Sequence, residues 1–88
     1  MAEEKEIIIY GTKWCPDCYR SKKVFRDRNI SFEYIDINRC ADSRAFVEKT
    51  NNGYRSVPTI LFPNGETLVE PSNAVLNAKL DELFENVM

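Results

Sequence analysis

The stretch "IIIYGTKWCPDCYRSKK", residues 7–23, decides how the rest of the chain reads. Ile7-Ile8-Ile9-Tyr10 is a continuous apolar, β-branched run, as expected of a strand covered on both faces of a sheet. Gly11 and Pro16 break the extended pattern, and Pro16 suits the first turn of a helix, where its missing N–H would have had no partner. From Asp17 to about Arg28 the apolar positions Cys18, Val24 and Phe25 share one face, with Arg20, Lys22, Lys23 and Arg26 elsewhere. Asn29 is placed to stop that helix. Cys15 and Cys18 therefore fall where a buried strand gives way to a basic helix. Redox chemistry, metal binding and plain packing as small apolar residues all remain open at this point.

The pattern continues outward from this unit. Ile30–Ile37, "ISFEYIDI", is rich in β-branched and aromatic residues and reads as a second strand. Two strands joined by one helix make a βαβ unit with parallel strands and a right-handed crossover. A second helix is expected over roughly Ala41–Asn51, burying Ala45, Phe46 and Val47, with Gly53 as a left-handed cap. In "SVPTILF", Val57-Pro58 opens a third strand, Thr59–Phe62; Pro63–Glu66 turns the chain and Thr67–Val69 returns as a hairpin partner. Ser72 can cap a last helix, Asn73–Asn86, with the stripe Val75, Leu76, Leu80, Leu83 and Phe84. The expected fold is α/β, in the order β-α-β-α-β-β-α. Its mixed four-stranded sheet carries flanking helices in a single domain over residues 1–88.

Composition narrows the function. Twelve Lys and Arg against 14 Asp and Glu give a net charge of −2, so nucleic-acid binding has no global electrostatic support. No apolar run approaches the roughly 20 residues that span a bilayer, and no membrane association is expected. The start, "MAEEKEIIIY", is acidic, and its apolar run is too short for a signal peptide. The expected compartment is therefore the reducing cytoplasm. Three cysteines are an odd number, unlike the even sets of secreted disulfide-stapled domains. There is no histidine, which removes Cys/His zinc chemistry and any imidazole base. A four-thiolate zinc site would need more than Cys40 to join the pair, so no metal-ligating residues are assigned.

A thiolate is the nucleophile in thiol–disulfide exchange. At a helix N-terminus the unpaired N–H groups and the helix dipole favour an anion by up to about 2 kcal/mol. Cys15 occupies that position, and residues 13–28 hold six basic side chains, including Lys13, against Asp17 and Asp27. Asp17, between the cysteines, opposes the thiolate but is outnumbered. Cys18, one turn further in, is placed to attack a mixed disulfide on Cys15 and should be the less exposed. Trp14 is expected to pack beside Cys15 and limit access to it, and Tyr10 to be core. Arg55, near the Val57-Pro58 loop, reads either as a binder of a substrate carboxylate or as a solvated charge. Cys40 reads either as a regulatory or metal-assisting thiol or as a helix residue without chemistry.

With "WCPDC" after a first strand, "VPT" some way on and this element order, the chain resembles the glutaredoxin family of the thioredoxin-like superfamily. The stretch "NNGYRSVPTILFPNGETLVEPSN" is closest in pattern to mycoredoxin-like members. The resemblance implies a thiol–disulfide oxidoreductase in electron transport and cell redox homeostasis, with Cys15 attacking and Cys18 resolving. It implies a cis peptide bond before Pro58, a Val57 backbone that pairs with extended substrate, and substrate or thiol contacts from Lys13, Trp14, Pro16, Asp17 and Arg55. No tightly bound cofactor is implied; a low-molecular-weight thiol (glutathione or mycothiol) and a thioredoxin-reductase-type flavoenzyme both stay open as the reductant. Substrates would be protein disulfides or mixed disulfides with small thiols, handled by a monomer. Thr12 stands where many glutathione-using members carry lysine, Asp17 replaces a common tyrosine, and "LVEPSN" replaces a Gly-Gly and acidic pair. Some relatives carry iron–sulfur clusters across a dimer, which is the alternative reading.

Overall fold

Ile7–Gly11 forms β1, whose side chains alternate between the two faces of a sheet. Ile7 and Ile9 point into one apolar cluster and Tyr10 into another, with Ile8 packed against the second. Burying each such side chain is worth about 1.5–3 kcal/mol, so this short strand anchors both layers. The computed structural model describes residues 6–84. Its further elements are α1 (Pro16–Asp27), β2 (Phe32–Asp36), α2 (Ala41–Thr50), β3 (Thr59–Leu61), β4 (Thr67–Val69) and α3 (Asn73–Phe84).

The sheet order is β2-β1-β3-β4. β1 runs parallel to β2 and antiparallel to β3, and β3 pairs antiparallel with β4. This is the thioredoxin-like arrangement, a mixed four-stranded sheet with three helices. On one face α1 and α3 bring Val24, Phe25, Leu76 and Leu80 onto Ile7, Ile9, Ile60 and Phe62. On the other, α2 brings Val47 and Phe46 onto Tyr10 and Ile37, and the Tyr10 and Phe46 rings lie 5.1 Å apart. Polar bonds join α1 to α3: Arg20 donates to Asn73 at 2.7 Å, and Arg28 to Asn77 at 2.7 Å and Asp81 at 2.6 Å. Among the described residues no helix is long and apolar enough to cross a membrane.

Several expected boundaries and faces differ from the structure. Asn29 does end α1, in the left-handed region at φ 57°. Ile30 is still leaving that helix, its N–H bonded to the Phe25 carbonyl at 2.9 Å, so β2 begins at Phe32. β3 ends at Leu61 because Phe62 already closes the turn, donating to the Glu66 carbonyl at 2.9 Å. Ala45 is exposed, not buried. Val47 lies at the centre of the buried face of α2, and two residues at 100° each carry Ala45 to the far side. In α3 the inward row is Leu76, Leu80 and Leu83; Val75 and Phe84, 49% and 44% exposed, sit off that row. The expected end of this helix at Asn86 lies outside the described residues.

Candidate active site

The break at Gly11 lifts the chain out of β1 and into α1, and Cys15 becomes the N-cap of that helix. Its backbone is extended, with φ −127° and ψ 102°, and Pro16 follows in the first turn. The Cys18 N–H donates to Cys15 Sγ at 3.0 Å, so the sulfur takes the place of an ordinary capping oxygen. An amide aimed at this sulfur, together with the helix dipole, favours negative charge on it. Cys15 and Cys18 are joined as a disulfide, their Cα atoms 5.1 Å apart. Cys15 is half-buried, whereas Cys18 is fully buried against the sheet.

A shallow, open groove of about 350 Å³ runs past Cys15 and is lined by Lys13, Trp14, Pro16 and Tyr19. Trp14 does not pack down beside Cys15 as expected. It is 87% exposed and stands in solvent as one wall of the groove, with no element among the described residues covering it. Tyr19 is a site residue that the sequence reading does not single out. Its position four residues after Cys15 is the available signal, since i and i+4 share a helix face. Asp17 points to Arg20, at 3.1 Å, and does not line the groove. The Val57–Pro58 bond is cis. Tyr10 pairs with Thr59, which puts Pro58 at the end of the sheet from which the Cys15 loop leaves. Arg55 is held by Glu48, at 2.6 Å, so its charge is already paired.

A larger groove, about 570 Å³, is lined by residues including Ile7, Arg28, Pro63 and Phe84. It lies where β1 begins, at the other end of the strand from the cysteines, and holds no thiol. Cys40 is likewise apart, at the N-cap of α2, with a free thiol. Among the described residues no three Cys, Asp or Glu side chains gather as a metal-binding group.

Cys40 does not cap its helix by a side-chain bond in the way that Cys15 does. Even so, the Ser43 hydroxyl and then its amide hold the Cys40 thiol below the ordinary thiol range. In the oxidised protein, iodoacetamide is therefore expected to label Cys40 alone, and its pH–rate profile should move to higher pH in Ser43→Ala. An unmoved profile would show that Ser43 does not act on this thiol.

The glutaredoxin family model matches residues 7–68, which span the cysteine pair, Pro58, the first three strands and all but the last residue of β4. The chain belongs to the glutaredoxin family. A Mycobacterium tuberculosis protein provisionally named a glutaredoxin is 38% identical over 74 residues, covering 84% of this chain and 88% of its own. Mycoredoxin 1 of Corynebacterium glutamicum is 30% identical over 77 residues, covering 88% and 95%. Among solved structures, the thioredoxin-like protein BC3987 superposes with a TM-score of 0.68 at 25% identity, over 90% of this chain and all of its own. NrdH-redoxin of Escherichia coli shares the fold, with a TM-score of 0.67 at 22% identity over 84% and 93%. This glutaredoxin is a thiol–disulfide oxidoreductase, and the structure joins Cys15 and Cys18 as a disulfide.

Proposed function

We propose that this glutaredoxin reduces protein disulfides, or mixed disulfides with small thiols, through a Cys-Pro-Asp-Cys site in which Cys15 attacks and Cys18 resolves. The observation that carries the reading is the contrast at the N-terminus of α1. Cys15 Sγ is half-buried at an open groove and receives an amide N–H, whereas Cys18 lies fully buried one turn deeper. The Cys15 thiolate attacks one sulfur of the substrate, forming a mixed disulfide and releasing the other as a thiolate. Cys18 then attacks Cys15 Sγ, releasing the second substrate sulfur and leaving the Cys15–Cys18 disulfide. Two electrons have passed to the substrate, and an external thiol must return them.

That donor is assigned to a low-molecular-weight thiol, glutathione or mycothiol, and the likeness to mycoredoxin 1 supports the choice. Lys13, Trp14, Pro16 and Tyr19 offer the groove for it, the Val57 backbone beside cis-Pro58 offers pairing to an extended substrate, and Arg55 would have to leave Glu48 to take part. The reaction is placed in a single-domain monomer in the reducing cytoplasm, a compartment in keeping with the odd number of cysteines. The test is to oxidise the protein and follow re-reduction by glutathione, by mycothiol, and by NADPH with a thioredoxin reductase, each alone. Reduction by a small thiol without the flavoenzyme is expected. Reduction by the flavoenzyme alone would overturn the donor assignment.

A further inference from the structure

The Tyr34 hydroxyl is a polar group beside the buried sulfur that the reaction above leaves unused. It donates to the Thr12 carbonyl at 2.6 Å, in the loop that leads to Cys15. A Cβ placed on Gly11 would lie 2.7 Å from Tyr34 Cζ and 2.8 Å from Cys18 Sγ, with the Tyr34 hydroxyl nearer still. The phenol and the Cys18 sulfur thus flank one point, kept clear by the absence of a side chain at position 11. Lys22, one turn after Cys18, holds its ammonium 4.0 Å from the centre of the Tyr34 ring.

We propose that when the Cys15–Cys18 disulfide opens, the Tyr34 hydroxyl turns from the Thr12 carbonyl to Cys18 and donates a hydrogen bond to the thiolate released there. The inference rests on the dithiol reading given above. An incoming thiolate bonds to Cys15 Sγ, the Cys15–Cys18 bond breaks, and its electron pair stays on Cys18 Sγ. The electrons come from the external thiol, and no proton has to move for the step to balance. A fully buried thiolate is costly without a donor. Hydrogen bonds to an ionised acceptor are about twice as strong as those between neutral groups, so the thiolate outcompetes the Thr12 carbonyl. Burial, followed by the nearby Asp36 charge, pushes the Tyr34 hydroxyl above the ordinary tyrosine range, so it keeps the proton it donates. Of the other charges facing this phenol, Lys22 from α1 favours the thiolate and Asp36 from β2 opposes it.

The test is Tyr34→Phe in the full chain, with the Cys15–Cys18 disulfide equilibrated against a dithiothreitol redox couple at a pH above the Cys18 titration, where the released sulfur stays a thiolate. Loss of a hydrogen bond to a charged group should shift the equilibrium about tenfold toward the disulfide, which corresponds to about 30 mV more negative. The Cys18 thiol, titrated by its ultraviolet thiolate absorbance in a Cys15→Ser background, should move to higher pH. Both readouts respond to a donor and not to lost packing alone. An equilibrium constant within about twofold of the parent, with the Cys18 titration unmoved, would overturn the inference. Should Tyr34→Phe fail to fold, 3-fluorotyrosine at position 34 supplies a stronger donor and is expected to shift the equilibrium toward the dithiol; no shift would overturn it. If the parent protein forms no Cys15–Cys18 disulfide at all, it is the proposed function that fails, which separates the two claims.

Discussion

Replacing Gly11 with alanine is expected to destabilise the protein by about 3 kcal/mol, at the upper end of what one added methyl costs in a packed interior. The new Cβ would stand 2.7 Å from Tyr34 Cζ and 2.8 Å from Cys18 Sγ, distances that real Cβ atoms do not show. Neither neighbour moves away easily. Cys18 is fixed in α1 and fully buried, and Tyr34 is tied to the Thr12 carbonyl and covered by Lys22. One effect runs the other way, because alanine has fewer unfolded conformations than glycine and gains about 0.4–1 kcal/mol on that account. The clash outweighs this gain. Urea unfolding of the two oxidised proteins measures the difference, and a loss below about 1 kcal/mol would mean that α1 and β2 give way more readily than their packing implies.

The second large effect falls on activity. Cys15→Ser is expected to reduce turnover of a disulfide substrate to the uncatalysed rate, because a serine hydroxyl at that N-cap is not ionised at neutral pH. Cys18→Ser should differ in kind. Cys15 would still attack, but the protein would accumulate as a mixed disulfide unless a second small thiol released it. A burst of one equivalent followed by slow turnover, restored by added small thiol, is the expected time course. Equal steady-state rates for Cys18→Ser and the parent with a protein disulfide would show that Cys18 takes no part in resolution.

Much of this arrangement is legible in the sequence, and the illegible parts share a cause. The apolar run Ile7–Tyr10, Pro16 in the first turn of α1 and Asn29 at its end are local signals, each set by backbone chemistry within a few residues. The βαβ connection then places Cys15 at a helix N-terminus with little freedom left. Ala45, Val75 and Phe84 defeat a reading from sequence because the angular position of a helix against its sheet depends on partners that its own residues do not name. Trp14 shows the same limit: a large apolar side chain argues for burial, yet among the described residues no element covers it, and it is exposed. The meeting of Tyr34, Gly11 and Cys18 is harder still to see from sequence. It joins three elements, and neither the tyrosine in an ordinary strand pattern nor the glycine at a strand end indicates the other.

Central to the proposed mechanism is that Cys15, and not Cys18, is the attacking thiol. Two reduced proteins decide it, Cys18→Ser and Cys15→Ser, each carrying Cys40→Ser so that one thiol remains. Their rates of reaction with an aromatic disulfide reagent at neutral pH should differ widely. Fast formation of a mixed disulfide on Cys15 is expected in the first protein, and slow reaction of the buried Cys18 in the second. Equal rates, or a faster Cys18, would contradict the assignment.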